Sequence, residues 1–328
     1  MSQILIFTGP KGPAGKTMLS LNAAIAAGKT RHSVALLETG PVCANAPLHN
    51  LNDLAWGYCS ARDVLVPYEE HVDLILTGEP IGWSDEERMK RLLELAPILE
   101  EKDFIFIDAE PAILEGGLPL LPWASEVFVV VAPEQVAGGE ALWFIQTLGS
   151  QDPGKQISLI LNRARDLEIA ETICSRLEHD FENILHVPLV CVGIVAEDPG
   201  LAETSCLEAS LLPSRLPFAA KETVERLVRS AIRSHETRHV HAYLSDFLRN
   251  LLNCIHMAAS RPGAAEAAIA RDVDPEISEE AVAEFKDLIL GALEARDQEA
   301  LDFRSLYSLV RQRIASGKGT NQYPPYAW

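Results

Sequence analysis

The chain has 328 residues, 48% hydrophobic and 23% charged, and its 28 Lys and Arg face 47 Asp and Glu for a formal net charge of −19. This balance excludes a disordered chain, which lacks the apolar surface for a core, and a general nucleic-acid coat, which needs a clustered surplus of basic side chains. No apolar run reaches the roughly 20 residues of a spanning helix, and the opening MSQILIFTGPKG lacks the stages of a signal peptide, so a cytosolic protein is expected.

From the N-terminus, Gln3 to Thr8 is a short apolar strand, followed by the Gly/Pro-rich GPKGPAGKT and a helical MLSLNAAIAAG. Further strands are expected at Ser33 to Leu37, Phe104 to Ile107, Val127 to Ala132, Ile157 to Leu161 and Leu189 to Val195. Their apolar runs are continuous rather than alternating, as in strands buried on both faces of a mostly parallel sheet. Helices are expected between them. Ser84 to Glu101 is capped by Ser84 with Glu87 as its capping-box partner, and Gly139 to Leu148, Leu167 to Leu177 and Lys221 to Ile232 follow.

This alternation predicts a doubly wound α/β domain over residues 1–235. A helical extension, 236–328, follows it. There Val240, Tyr243, Leu244, Phe247, Leu248, Leu251, Leu252 and Ile255 form one apolar stripe. The polar face of that stripe offers Arg249, His241 and His256, where interfacial helices are rich in Lys and Arg, so packing is favoured over peripheral membrane contact. Two more helices, Ser278 to Arg296 and about Glu299 to Ala315, lead to a flexible tail with Tyr323, Tyr326 and Trp328. Six cysteines are scattered with no CxxC spacing, and His239 and His241 do not share a helix face, so no zinc or iron–sulfur centre is indicated.

The chemistry-bearing feature is Gly15-Lys16-Thr17, after a buried strand and at the start of a helix. In such a loop, backbone N–H groups and the helix N-terminus cradle a phosphate, Lys16 reaches the β and γ oxygens and Thr17 ligates Mg²⁺. Read from Lys11, the loop is Lys11-Gly12-Pro13-Ala14-Gly15-Lys16-Thr17, and it resembles the deviant Walker A motif KGGxGKT of the MinD/ParA family of dimerising P-loop ATPases. FIFIDAEP around Asp108 resembles the family's switch II aspartate. ASEVFVVVAPE, Asn162-Arg163 and the segment 187–204 resemble the strands and the adenine-side residues that follow. The resemblance covers about residues 1–235 and is nearest in pattern to the MinD/FlhG branch.

The resemblance implies a P-loop α/β fold that binds ATP or ADP with Mg²⁺ and dimerises around it. Lys11, Lys16 and Asp108 would be the catalytic residues, and Lys11 would reach the phosphates held by the partner copy. Gly12, Ala14, Gly15, Lys16, Thr17, Asn162 and Arg163 would bind the nucleotide, and Thr17 and Asp108 would serve the metal. Three positions depart from the pattern: Pro10 and Pro13 replace glycines, and Glu38-Thr39-Gly40-Pro41 replaces DxDP, whose second aspartate orients the attacking water. Pro13 removes an N–H from the cradle, and Ala196 stands where proline is usual. Two functions therefore stay open. One is an ATP-driven switch of MinD/FlhG type with weak hydrolysis, acting as a homodimer on an unidentified protein; the other is a degenerate nucleotide-binding scaffold. The acidity of the chain argues against DNA as the partner.

Overall fold

The centre of the sheet is built from runs of Val, Ile, Leu and Phe that are covered on both sides, and two less buried strands close its edges. In the computed structural model its eight strands are β1 (Gln3–Thr8), β2 (Val34–Glu38), β3 (Val66–Glu69), β4 (Val72–Leu76), β5 (Phe104–Asp108), β6 (Glu126–Val131), β7 (Ile157–Ala164) and β8 (Leu189–Ala196), with β3 and β8 at the edges. The structure describes residues 2–39, 49–77, 83, 85–111, 114, 120–197, 224–226, 228–229 and 244–259. Gly40, Ser84, His239 and His241, most of the expected helix 221–232, the two last helices and the aromatic tail lie outside these residues.

Strand order is β3-β4-β2-β5-β1-β6-β7-β8. All pairs are parallel except the β3–β4 hairpin at the edge. Alternate residues of the central strands enter two different cores. Ile4, Ile6, Leu37, Ile105, Ile107 and Val129 face one layer, whereas Leu5, Phe7, Leu36, Phe104, Phe106 and Phe128 face the other. In the second layer the Phe7 ring stacks between Phe128 at 4.6 Å and Phe106 at 5.9 Å, under the small residues of helix α1 (Lys16–Lys29).

Helix α2 (Leu51–Trp56) is held by a capping box in which Asn50 accepts from Asn52 N and Asp53 N. The helix expected over Ser84 to Glu101 is two pieces, α3 (Glu86–Leu93) and α4 (Ala96–Leu99). Proline has no N–H for an upstream carbonyl and fits best in a first turn, so Pro97 opens α4 rather than continuing α3. The cap of α3 is Asp85, whose carboxylate accepts from Glu87 N and Arg88 N.

After β6 come α5 (Pro133–Ala137) and α6 (Glu140–Gln151), separated by Gly139 at φ 82°. Helix α7 (Leu167–Asp180), capped by Asp166, joins β7 to β8. Helix α8 (Leu244–Ala259) carries the apolar stripe, and Leu244, Phe247, Leu248, Leu251, Leu252 and Ile255 are all buried. They join the first core layer, where α8 lies against α3 and α4. Among the described residues no helix is long and apolar enough to cross a membrane.

This topology sets the site. Chain connections leave β1 on both sides, and in open α/β sheets ligands bind outside the carboxyl ends of the strands at such a switch point. The carboxyl ends of β1, β2, β5 and β7 carry Thr8, Glu38, Asp108 and Asn162.

Candidate nucleotide site

Between β1 and α1 the chain turns through Gly9 to Gly15. Gly9 passes so close to β6 that an added Cβ would lie 2.1 Å from Val130 O. Gly15, at φ 83°, is the left-handed cap of α1, and a Cβ there would meet Asn162 Nδ2 at 2.4 Å. Two of the loop's glycines are thus required by close approach and by backbone conformation.

Every carbonyl oxygen from Pro10 to Ala14 is turned toward a donor of the chain itself. Pro10 O accepts from Lys16 Nζ at 3.1 Å, Lys11 O from Gln135 Nε2 at 3.1 Å, Gly12 O from Ala14 N at 2.9 Å, Pro13 O from Arg163 at 3.2 Å and Ala14 O from Asn162 Nδ2 at 2.7 Å. The N–H groups of Lys11, Gly12, Gly15 and Thr17 meet no acceptor among the described residues. A loop with its carbonyls tied back and its N–H groups unused is an anion nest at a helix N-terminus. Pro10 and Pro13 have no N–H to give, and that of Ala14 is taken by Gly12 O.

At the foot of the nest, the Thr17 side chain and the Lys16 charge both act on the Asp108 carboxylate and favour its charged form. Asp108 is buried and lies beside both Phe7 of β1 and Glu38 of β2 in register. Burial pushes the Asp108 carboxyl up to about 6; the Thr17 hydroxyl and the Lys16 charge pull it back, and Glu110 adds to the rise. Burial likewise raises Glu38 to about 7, with Asp108 and then Glu110 reinforcing it. Thr39 ties this end together: its hydroxyl donates to Asp108 O at 2.8 Å and accepts from Glu110 N at 2.9 Å.

The structure therefore brings Lys16, Thr17 and Asp108 together, and sets Asn162 beneath Ala14 and Gly15. Arg163, at φ 62°, reaches Pro13 O and pairs with Glu197 at 3.2 Å, while Arg165 meets the same carboxylate at 2.7 Å. Both adenine-side candidates thus contact the phosphate loop itself. Lys11 stands exposed on the rim and Ala14 is buried beneath it. Sequence reasoning missed Gln135, whose partner is 124 residues away. It also missed Glu197, which only the return of β8 brings to Arg163.

An all-oxygen pair of a threonine hydroxyl and a carboxylate, with a second carboxylate alongside, is the donor chemistry of a hard divalent cation such as Mg²⁺. The free N–H groups and Lys16 are the complementary chemistry for phosphate.

No family model matches the chain. An uncharacterized ATP-binding protein of Methanocaldococcus jannaschii is 24% identical over 267 residues, covering 76% of this chain and 97% of that protein. The antiactivator FleN of Pseudomonas aeruginosa is 25% identical over 207 residues, covering 60% of this chain and 74% of FleN. The chain is similar, at about a quarter identity, to MinD-type ATP-binding proteins. Among solved structures, the MinD cell division protein of Aquifex aeolicus aligns with TM-score 0.53 at 21% identity, over 71% of this chain and 97% of that one. The MinC:MinD complex of the same organism gives TM-score 0.51 at 20% identity, over 74% and 99%. At these identities the structural likeness speaks for the fold, a mostly parallel MinD/ParA-like α/β sheet.

Proposed function

We propose that this MinD/ParA relative is an ATP-binding molecular switch that dimerises around its nucleotide, hydrolyses it weakly and acts on a protein assembly. The observation that carries the reading is the loop itself: carbonyls of Pro10 to Ala14 drawn inward, N–H groups of Lys11, Gly12, Gly15 and Thr17 left for an anion. In it the β-phosphate sits on those N–H groups and the N-terminus of α1, and Lys16 leaves its carbonyl partners for phosphate oxygens. Thr17 and Asp108 hold Mg²⁺, which when bound neutralises charge on the phosphates. Asn162 and Arg163 keep the loop's outer edge in place from below.

Slow turnover follows from the residue types. Water positioning by a side chain is worth about 10²–10⁴ in rate, and the chain has Gly40 where the family pattern has the aspartate that does this. Lys11 on the rim is free to extend toward phosphates bound by a second copy, so the homodimer is part of the proposal. A protein partner fits the −19 charge better than DNA, and relatives of MinD type are known in complex with another protein, as in MinC:MinD. The competing scaffold reading draws on Pro13, which takes one donor out of the nest.

Sedimentation of the full chain with and without Mg-ATP separates the two. A switch dimerises with ATP; Lys16→Ala abolishes that response, and Lys11→Ala weakens it at least about tenfold without removing it. A constant sedimentation coefficient in every condition assigns the scaffold.

A further inference from the structure

Gln135 joins the end of β6 to the loop that follows β1. It is the third residue of α5, and its side chain is 9% exposed. Its Oε1 accepts from Ala132 N at 3.0 Å, at the carboxyl end of β6, which anchors the amide to the sheet. Its Nε2 then donates to Lys11 O at 3.1 Å and lies where a Cβ on Gly12 would approach to 3.2 Å.

Lys11 is therefore clamped along its main chain. Before it, the Pro10 ring fixes φ and Pro10 O is bonded to Lys16 Nζ. After it, Gly12 holds φ 125°, a conformation that other residues rarely adopt. Its own carbonyl is pinned by Gln135. With the backbone set on both sides, the Cα–Cβ direction of Lys11 is set as well, and the exposed side chain samples its rotamers from a fixed starting point. Glutamine suits this job because one planar amide both accepts and donates; glutamate would keep the bond to Ala132 N and lose the one to Lys11 O.

We propose that Gln135 is a positioning residue for Lys11: its bond to the Lys11 carbonyl fixes the backbone from which the lysine side chain extends, and so how strongly Lys11 engages phosphates bound by a second copy of the chain. The proposal rests on the nucleotide reading above. It assigns a role to a residue that touches no phosphate.

Two measurements on the full chain test it. Without nucleotide, hydrogen exchange of the Ala14 amide, which donates to Gly12 O at 2.9 Å, should quicken in both Gln135→Glu and Gln135→Met, while peptides from β5 and β7 stay at wild-type protection. With Mg-ATP, Gln135→Met should weaken self-association about 3- to 10-fold, the range set by one lost side-chain hydrogen bond. It should leave Mg-ADP affinity within about 2-fold and add nothing further in a Lys11→Ala background, since coupled residues are non-additive. Unchanged loop exchange in both variants overturns the clamp. An undiminished effect of Gln135→Met in the Lys11→Ala background overturns the role toward Lys11. If wild type binds no Mg-ATP, the nucleotide reading fails and takes the role toward phosphate with it, while the exchange data still decide whether Gln135 holds the loop.

Discussion

Glu38 and Asp108 are register partners on the adjacent parallel strands β2 and β5, so two buried-edge carboxylates stand side by side at the foot of the phosphate loop. Each is pushed above its ordinary range, Glu38 from 4.5 to about 7 and Asp108 from 3.8 to about 6. The folded chain therefore holds protons that the unfolded chain has already released between about pH 4 and 7. Stability falls as pH rises wherever the native state binds more protons. The contribution is favourable below the unfolded values and turns into a cost once pH passes the folded ones. In chelator, the melting temperature of the metal-free chain should have a downward component from pH 5 to 7.5, and Glu38→Gln should flatten it. Equal pH profiles for wild type and variant would exclude the effect, and millimolar Mg²⁺ should reduce it in wild type.

The Asn162 amide beneath the loop sets a second expectation. Its bond to Ala14 O is buried and 2.7 Å long, and removing one partner of such a pair costs about 1–3 kcal/mol. Asn162→Ala should lower unfolding free energy in urea by that amount and weaken nucleotide binding as well. Asn162→Ala with wild-type stability and affinity would show the bond to be dispensable.

Gly15→Ala should be harsher on the site than on the fold. The position has φ 83°, and the new methyl would be 2.4 Å from Asn162 Nδ2. Asn162 must swing away or the loop must shift, and either change disturbs the carbonyl-inward arrangement. Titration with fluorescent Mg-ATP should show at least about a tenfold loss, equal to about 1.4 kcal/mol, a modest figure beside the strain of a non-glycine residue in this region. Full affinity in this variant would mean that the nest is not where phosphate binds.

Helix α8 offers a test of its packing. Phe247 is 1% exposed within the first core layer, and truncating a buried phenylalanine costs about 3–5 kcal/mol. Phe247→Ala should destabilise the chain on that scale in chemical denaturation, whereas Arg249→Ala, on the exposed side, should change it little. If Phe247→Ala were neutral in stability yet reduced co-sedimentation with anionic lipid vesicles, the helix would be a membrane element instead.

Much of this architecture was legible because β1, β2, β5, β6 and β7 are continuous apolar runs buried on both faces, which carry their signature without needing a partner in view; β8 has an apolar run too, although as an edge strand it is only partly buried. β3 and β4 were not. Val66–Glu69 includes Pro67 and alternates half-buried with exposed residues at the sheet edge, and β4 contains Asp73, whose charge is answered by Lys102 at 2.5 Å. Helix α2, six residues long, shows no periodicity to read. At the site, GKT and its strand-loop-helix setting were visible, as were Asp108 and Asn162. Gln135 was not, because a neutral amide carries no signal until the fold returns it to Lys11. The left-handed backbone of Arg163 is likewise imposed from outside, by its hold on Pro13 O and Glu197.

The central claim is that the loop from Gly9 to Thr17 receives a nucleotide phosphate. Isothermal titration of the full chain with ATP in the presence of Mg²⁺ addresses it directly, with Lys16→Ala in parallel. The account predicts saturable binding near one nucleotide per chain for wild type and none for Lys16→Ala. Absence of binding to the wild-type chain, or equal binding to both, would contradict it.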